Sequence, residues 1–342
     1  MFGPLRRWSL SLSNRFFRWL YRTTYFDLVA RAPHLLGWMY DRLDRPAQVG
    51  ESRARTLFEK LNLRRFVNLV RHGGFDLALS THFLSAGLIA HLRKAGKLDL
   101  RQMTITTDFD PHRLWVNEPC ERYFVATPEA RAGLAAVGVA ESDILLTGIP
   151  VHPVFAVNRS KAEYRAGQGI ANDRPVVLLL AGGLTPAAAR RILEGCYRIE
   201  RPLSIVAVTG RSPQLRSHLE GVECPRQHHC QILGFTDKID QIMGAADVVI
   251  TKPGGLTSAE SLARGLPMVI VDPIPGQETR NADYLLENGA AVKVNNLAAL
   301  SVKLGELLGD GRRLEEMRER ARRIARPGAA YEVAEVALSF IR

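Results

Sequence analysis

The sequence is poor in cysteine and has no hydrophobic run long enough to cross a membrane. Four cysteines in 342 residues are too few for a disulfide-stabilised scaffold. Cys224 and Cys230 flank two histidines, but their spacing matches no standard zinc motif, and a polar loop explains them better. A spanning helix needs about 20 apolar residues. Arg31, Pro33 and His34 interrupt the only apolar stretch near the start, so we also expect no signal peptide.

The positive charge lies entirely in the first third of the chain. The formal net charge is +11. Residues 1–101 contain 18 Lys and Arg against 7 Asp and Glu, whereas the remainder contains 28 of each. A basic segment of this kind is typical of proteins that bind phosphate, either in nucleic acid or on an anionic membrane.

Residues 1–45 combine this charge with aromatic side chains. Ten of the 25 aromatic residues lie here, interleaved with arginines. Aromatic side chains interleaved with arginines are suited to the headgroup interface of a lipid membrane. Stacking on single-stranded nucleic acid and packing into a core are the alternatives. We expect a membrane surface as partner and no nucleic acid. The aromatic residues are Phe2, Trp8, Phe16, Phe17, Trp19, Tyr21, Tyr25, Phe26, Trp38 and Tyr40.

Short apolar runs alternate with helical segments along most of the chain. This alternation predicts an α/β protein with mostly parallel sheets, and the length suggests two domains. Residues 148–155 carry Pro150 and Pro153 and are interpreted as the linker between them. A helix is predicted over 50–72. Strands are predicted over 76–80, 103–107, 123–127, 144–147, 175–180, 203–209, 231–233, 247–251 and 268–271.

Residues 247–271 predict a strand, a Gly-rich turn, a helix and a second strand. The turn is Lys-Pro-Gly-Gly (252–255), and Thr257 or Ser258 is predicted to cap the helix. Two glycines allow a ligand close to the backbone, and the first N–H groups of a helix favour an anion such as a nucleotide diphosphate. Glu260 could accept hydrogen bonds from ribose hydroxyls. An ordinary turn of a doubly wound sheet would show the same pattern.

Three further features follow predicted strands. Gly182 and Gly183 repeat the Gly-rich arrangement at the first strand of the second domain. His82 and Asp108 each lie just past a strand, at the sheet edge where ligands of open α/β proteins bind. Either side chain could take a proton from an acceptor hydroxyl. A structural histidine and a turn or helix cap are the simpler interpretations.

Several ordered blocks between residues 104 and 290 resemble one enzyme family. They resemble the monogalactosyldiacylglycerol synthases and processive diacylglycerol glucosyltransferases, which are nucleotide-sugar glycosyltransferases similar also to the peptidoglycan N-acetylglucosaminyltransferase. The resemblance in residues 1–100 is weaker. The blocks are residues 252–260, residues 276–278 with Asn281, and residues 106–115, 123–127 and 147–155.

The resemblance implies two Rossmann-like domains in the GT-B glycosyltransferase architecture, with the donor site in the C-terminal domain and the cleft between domains. Residues 1–155 would form the acceptor and membrane-binding domain, 156–328 the nucleotide-sugar domain, and 329–342 a helix that crosses back to the first domain. This architecture is independent of metal. Asp108 and Asp110 are therefore not interpreted as metal ligands, and no metal or cofactor is expected.

The implied reaction is the inverting transfer of a hexose from UDP-glucose or UDP-galactose to diacylglycerol or a related glycolipid. The enzyme would be cytoplasmic, peripheral on the inner face of the plasma membrane. Another lipid-linked acceptor, or a truncated non-catalytic nucleotide- or membrane-binding protein, is the alternative. Asp108 and His82 are the catalytic candidates. The implied donor-binding residues are Gly182, Gly183, Phe235, Thr236, Gly254, Gly255, Thr257, Glu260, Gln277, Glu278 and Asn281.

One element of the resembled family has no counterpart here. That family opens with a hydrophobic strand and a Gly-rich loop ending in histidine, whereas the first Gly-Gly of this chain is Gly73-Gly74, in a polar loop. We therefore expect the first strand of the first sheet to be missing. Either the start is misplaced or the chain is a shortened variant. We favour the first, because a sheet without a central strand exposes unpaired edges.

Overall fold

The structure, a computed structural model, describes residues 64–341. The basic, aromatic segment over residues 1–45 and the first part of the helix predicted over 50–72 lie outside this range. The described part of that helix is α1 (Arg64–His72). Within the described range every helix is too short or too polar to cross a membrane.

The first domain is built on four parallel strands that lie side by side in chain order. Residues 103–105 and 123–125 are largely apolar and become central and buried, as expected for strands covered on both faces. The elements are β1 (Leu77–Ser80), α2 (Phe83–Lys94), β2 (Arg101–Ile105), β3 (Arg122–Val125), α3 (Pro128–Ala136) and β4 (Ile144–Leu146). An α-helix follows β1 and another follows β3, whereas β2 and β3 are joined by a longer segment with a short 3-10 turn at Arg113–Trp115.

The second domain has six parallel strands in the order β10-β9-β8-β5-β6-β7. The order reverses between β5 and β8, which creates the crevice where ligands of doubly wound folds bind. The runs at 176–179, 248–250 and 268–271 are fully buried in the centre. The strands are β5 (Val176–Leu180), β6 (Ser204–Val208), β7 (His229–Leu233), β8 (Val248–Thr251), β9 (Met268–Val271) and β10 (Ala291–Val294).

Helices cover both faces of this sheet, and their apolar sides form its two core layers. α4, α6 and β10 were not anticipated, because the two helices are short with few apolar residues and β10 has only four residues. The helices are α4 (Lys161–Gly167), α5 (Pro186–Tyr197), α6 (Pro213–Glu220), α7 (Ile239–Ala245), α8 (Gly255–Ala263), α9 (Gln277–Glu287), α10 (Leu300–Gly309), α11 (Gly311–Ile324) and α12 (Ala329–Ser339).

The predicted cap of α8 is wrong. The helix begins at Gly255, and Gly254 is its N-cap, with extended backbone and no side-chain cap. Thr257 and Ser258 therefore lie inside the helix. The hydroxyl of Ser258 is buried there and has no hydrogen-bond partner among the described residues. The helix can start early because glycines at both positions let it begin immediately after the turn.

The linker and the last helix tie the two domains together. Arg264, at the end of α8, donates hydrogen bonds to the carbonyl oxygens of Val154 and Val157, so the linker is fixed to the second domain. α12 packs Val333 and Ala337 against the first sheet. The described part of the first sheet has β1 at its edge. The expected missing strand concerns residues outside the described range and stays a prediction.

Asp247, just before β8, gathers three cations. Its carboxylate lies 2.6 Å from Lys161 Nζ, 2.6 Å from an Arg165 nitrogen and 3.0 Å from an Arg318 nitrogen. Burial alone would raise the pKa of Asp247, but Lys161 and the other partners hold it below its usual value. The carboxylate thereby joins α4 and α11 to the sheet.

We predict that Asp247→Ala lowers the free energy of unfolding by about 3 kcal/mol, because it leaves partly buried cations unpaired. Urea denaturation measures this change. Asp173→Ala is the control, since that carboxylate is exposed and its ion pair within the described residues is with Arg174, so its effect should be close to zero. If the two substitutions lowered the free energy of unfolding equally, the Asp247 cluster would stabilise the protein no more than an exposed ion pair does.

Candidate functional site

The loops at the carboxyl edge of the second sheet converge on one place. A Cβ on Gly182, after β5, would lie 3.6 Å from the carbonyl oxygen of Thr209, after β6. One on Gly183 would lie 3.8 Å from Lys252 Cδ, after β8, and one on Gly254 would lie 4.0 Å from Glu278 Oε1, on α9. The two Gly-Gly turns and the start of α9 therefore face a common space, as the sequence predicts.

Lys252 is a functional candidate that sequence reasoning did not single out. Its side chain is mostly buried, and Nζ lies 3.1 Å from Asp272 Oδ2. Asp272 has φ 46°, unusual for a residue other than glycine. The ammonium thus sits between both Gly-Gly turns, where it could pair with a diphosphate. A lysine at a strand end directly before a Gly-rich turn was the available signal.

The loop after β7 presents an aromatic ring to solvent. Phe235 is 64% exposed, and the guanidinium of Arg211 lies over the ring, 4.6 Å from its centre. Thr236 Oγ1 accepts a hydrogen bond from the Lys238 backbone and so fixes the turn. A planar base could stack on the free face of Phe235. Arg211 carried no sequence signal, because the fold alone brings it to Phe235.

Glu260 and Thr257 lie one turn apart on α8. The Glu260 carboxylate forms no hydrogen bond with any residue of the described chain, and burial raises its pKa to about 7. A partly buried carboxylate without partners is suited to accept hydrogen bonds from ligand hydroxyls. The Thr257 carbonyl accepts a hydrogen bond from Ser261 Oγ.

The segment after β2 reaches across to the second domain. The Phe109 backbone N–H donates to Asn281 Oδ1 at 2.9 Å, and its ring stacks on Tyr284 with centres 4.8 Å apart. Asn281 is fully buried, and its Nδ2 donates to Pro253 O. Its amide is thus fully engaged by protein groups. The structure therefore gives Asn281 a role at the domain interface in place of direct contact with a sugar.

Asp108 lies at the centre of this interface and is completely buried. Its carboxylate accepts hydrogen bonds from Trp115, Gln277 and Asn281. Burial raises the pKa of Asp108, while these three bonds act in the opposite direction. A carboxylate so enclosed is not accessible to an acceptor hydroxyl in this arrangement.

Glu278 and His82, the other two acidic or basic candidates, have local partners. Glu278 accepts a hydrogen bond from the Ile274 backbone, and burial raises its pKa. His82 caps α2, with Nδ1 accepting from the Leu84 backbone. Although the residue is exposed overall, its ring packs on Phe83, and this local burial lowers its pKa. The neutral ring then carries its proton on Nε2, which does not suit a general base.

Gly255 is where the domains approach most closely. A Cβ at this position would lie 1.8 Å from the carbonyl oxygen of Thr107. The contact between the domains therefore requires a residue without a side chain at this position. Among residues 64–341, no group of three His, Cys, Asp or Glu side chains is placed to hold a metal ion.

Comparison with known proteins identifies two family domains. Residues 11–151 match monogalactosyldiacylglycerol (MGDG) synthase, and residues 161–324 match glycosyl transferases group 1. The processive diacylglycerol beta-glucosyltransferase of Bacillus pumilus is 29% identical over 80% of this chain and 70% of its own length. That of Bacillus subtilis is 27% identical over 80% of this chain and 71% of its own. The resemblance predicted from the sequence is confirmed.

Solved structures confirm the predicted fold. MurG of Acinetobacter baumannii has a TM-score of 0.62 at 19% identity, over 82% of this chain and 78% of its own. Anabaena HepE, solved in complex with UDP and glucose, has a TM-score of 0.55 at 14% identity, over 82% of this chain and 83% of its own. The two-domain GT-B architecture is therefore the fold of this chain.

We predict that Gly255→Ala forces the domains apart, because the added methyl cannot fit against the Thr107 carbonyl and overpacking costs about 1–3 kcal/mol. Small-angle scattering should then give a larger radius of gyration, with an unchanged circular dichroism spectrum. Gly254→Ala is the matched control, since its methyl would meet nothing closer than 4.0 Å. Identical scattering of Gly255→Ala and wild type would contradict the contact.

Proposed function

We propose that this glycosyltransferase, which joins an MGDG synthase domain to a group 1 domain, transfers a hexose from UDP-glucose or UDP-galactose to diacylglycerol or a related membrane glycolipid. The observation that carries the proposal is the convergence of Gly182-Gly183, Lys252, Gly254 and Glu260 on one edge of the second sheet. The names of the Bacillus relatives supply the acceptor class.

The donor would lie across this edge. Its diphosphate would meet the backbone at Gly182, Gly183 and Gly254, with Lys252 as the countercharge. The free N–H groups at the start of α8, which has no side-chain cap, favour the same anion. We propose that these groups stabilise the departing diphosphate without a metal.

The other parts of the donor would find complementary groups nearby. The base would stack on Phe235, with Thr236 fixing that loop, and the ribose hydroxyls would donate to Glu260. Gln277 and Glu278, at the start of α9, lie where the sugar would emerge from the diphosphate. The anomeric carbon would then face the first domain.

The acceptor hydroxyl would attack from the face opposite the diphosphate, which inverts the configuration. The attack therefore comes from the first-domain side of the cleft. We propose that the basic, aromatic N-terminal segment holds that domain on an anionic membrane, at the cytoplasmic face, where the lipid acceptor resides. The sequence predicts His82 or Asp108 as the base, but neither side chain is placed to take the proton of an acceptor in this arrangement. Both are already engaged in bonds within the protein.

A transfer assay tests the reaction. Radiolabelled UDP-glucose or UDP-galactose is incubated with anionic vesicles with or without diacylglycerol, and the lipid products are separated by chromatography. We expect a labelled glycolipid only with diacylglycerol and with one of the two donors. The assay is run with this chain and with one extended upstream. If neither makes a glycolipid although UDP binds, the acceptor assignment fails and a nucleotide-binding role replaces it.

Donor binding should also depend on pH through Glu260. Ribose hydroxyls donate hydrogen bonds, so they favour the ionised carboxylate, and burial raises its pKa to about 7. We therefore expect the affinity for the UDP-hexose, whose diphosphate does not titrate in this range, to fall as the pH decreases through 7, by about tenfold between pH 8 and pH 6. Calorimetry at several pH values measures this. Glu260→Gln should bind more weakly and show a nearly flat profile; an unchanged profile would exclude Glu260 as the titrating group.

A further inference from the structure

The amide of Gln277 has one end fixed and one end free. Its Nε2 donates to Asp108 Oδ1, across the domain boundary. Its Oε1 accepts no hydrogen bond from any side chain or backbone group of the described chain, and the residue is partly exposed. Gln277 is the first residue of α9, and it follows Gly276, which has φ 93°. This end of the helix lies at the carboxyl edge of the second sheet.

The other two donors to Asp108, Trp115 and Asn281, cannot exchange a nitrogen for an oxygen at the carboxylate. Trp115 has only an N–H to offer, and it donates to Oδ2 at 3.2 Å. The amide of Asn281 is oriented by the Phe109 N–H on its oxygen side and by Pro253 O on its nitrogen side. Its Nδ2 therefore faces Asp108 Oδ1, at 3.4 Å. Gln277 is the only one of the three partners whose orientation depends on the carboxylate.

We propose that Asp108 is a positioning residue for the donor sugar. By accepting from Nε2, it turns the Gln277 amide so that Oε1 faces the donor cleft as a hydrogen-bond acceptor for a sugar hydroxyl. A carboxylate does this where an amide or a hydroxyl would not, because it offers acceptors only. This inference rests on the proposed function, since it assumes that a UDP-hexose occupies the cleft.

This role explains features that a general base does not. Asp108 is completely buried, whereas a base must reach the proton that it removes. Its partners come from both domains, Trp115 from the first and Gln277 and Asn281 from the second. The sugar-facing acceptor is therefore in place only when the domains are closed as here.

The test exchanges the charged and neutral partners. Asp108→Asn presents an amide to two amide donors, so either Gln277 turns its nitrogen to the cleft or a bond is lost. Gln277→Glu alone sets two carboxylates against each other. In the double variant Asp108→Asn/Gln277→Glu, the amide at position 108 donates to the carboxylate at position 277, whose second oxygen again faces the cleft as an acceptor. The same amide nitrogen replaces the acceptor of the long 3.4 Å bond from Asn281, so that bond is lost.

The readout is the affinity for the preferred UDP-hexose divided by the affinity for UDP, both measured by calorimetry. UDP lacks the sugar, and the groups proposed to bind UDP lie in the second domain. Dividing by the affinity for UDP therefore isolates the contribution of the sugar. We expect each single variant to lower this ratio by about tenfold, the value of one lost hydrogen bond. The double variant should return to within about threefold of wild type. Asp143→Asn is the control, because Asp143 pairs with Arg122 before β4, at the opposite edge of the sheet.

Three outcomes would overturn the inference. They are a wild-type ratio in Asp108→Asn, equal losses of UDP and UDP-hexose affinity, and a double variant no better than the single ones. A wild-type protein that binds neither UDP nor a UDP-hexose would overturn the proposed function as well. The two failures are distinguishable, because only the second is seen without any substitution.

Discussion

The buried carboxylate of Asp108 is the interaction on which the arrangement of the two domains depends. Among residues 64–341 it forms no ion pair with a cation, and its charge is held by N–H donors from both domains. Removing a charge from water without such donors would cost several kcal/mol. Thr107 against Gly255 and Phe109 on Tyr284 then complete the contact between the domains around it. The closed cleft and the carboxylate therefore require each other.

Two ionic clusters hold the parts that carry this contact. Arg264 fixes the linker to the end of α8 and also approaches Asp240, while Asp247 joins α4 and α11 to the sheet. Both lie away from the Gly-rich turns, at the amino side of the central strands. The carboxyl edge of the sheet carries Glu260, which has no ion-pair partner among the described residues. Burial is what raises the pKa of its carboxyl group. A partly buried carboxylate without partners at one edge of the sheet, and paired ionic clusters at the other edge, are typical of a ligand site supported by a rigid scaffold.

The site could be predicted from the sequence only in part. The positions of Gly182, Gly183, Gly254, Glu260 and Phe235 at strand ends follow from strand and turn patterns, and the structure brings them to one edge. Sequence reasoning missed the stacking of Arg211 on Phe235 and the buried setting of Lys252. It also assigned Asn281 to a sugar, because a polar residue after a strand gives no sign that another domain covers it.

By itself the sequence determined the local elements, since periodicity, Gly-rich turns and β-branched runs act over a few residues. It predicted β9 over the residues observed and the existence of the α/β repeat, and the ordered motifs predicted the resemblance that the two family models confirm. Only the tertiary structure decided which side chains meet: Asp108 and Gln277 are 169 residues apart. Whether a carboxylate is a base, a cap or a positioning group depends on its burial and its partners, and these arise when the two domains close.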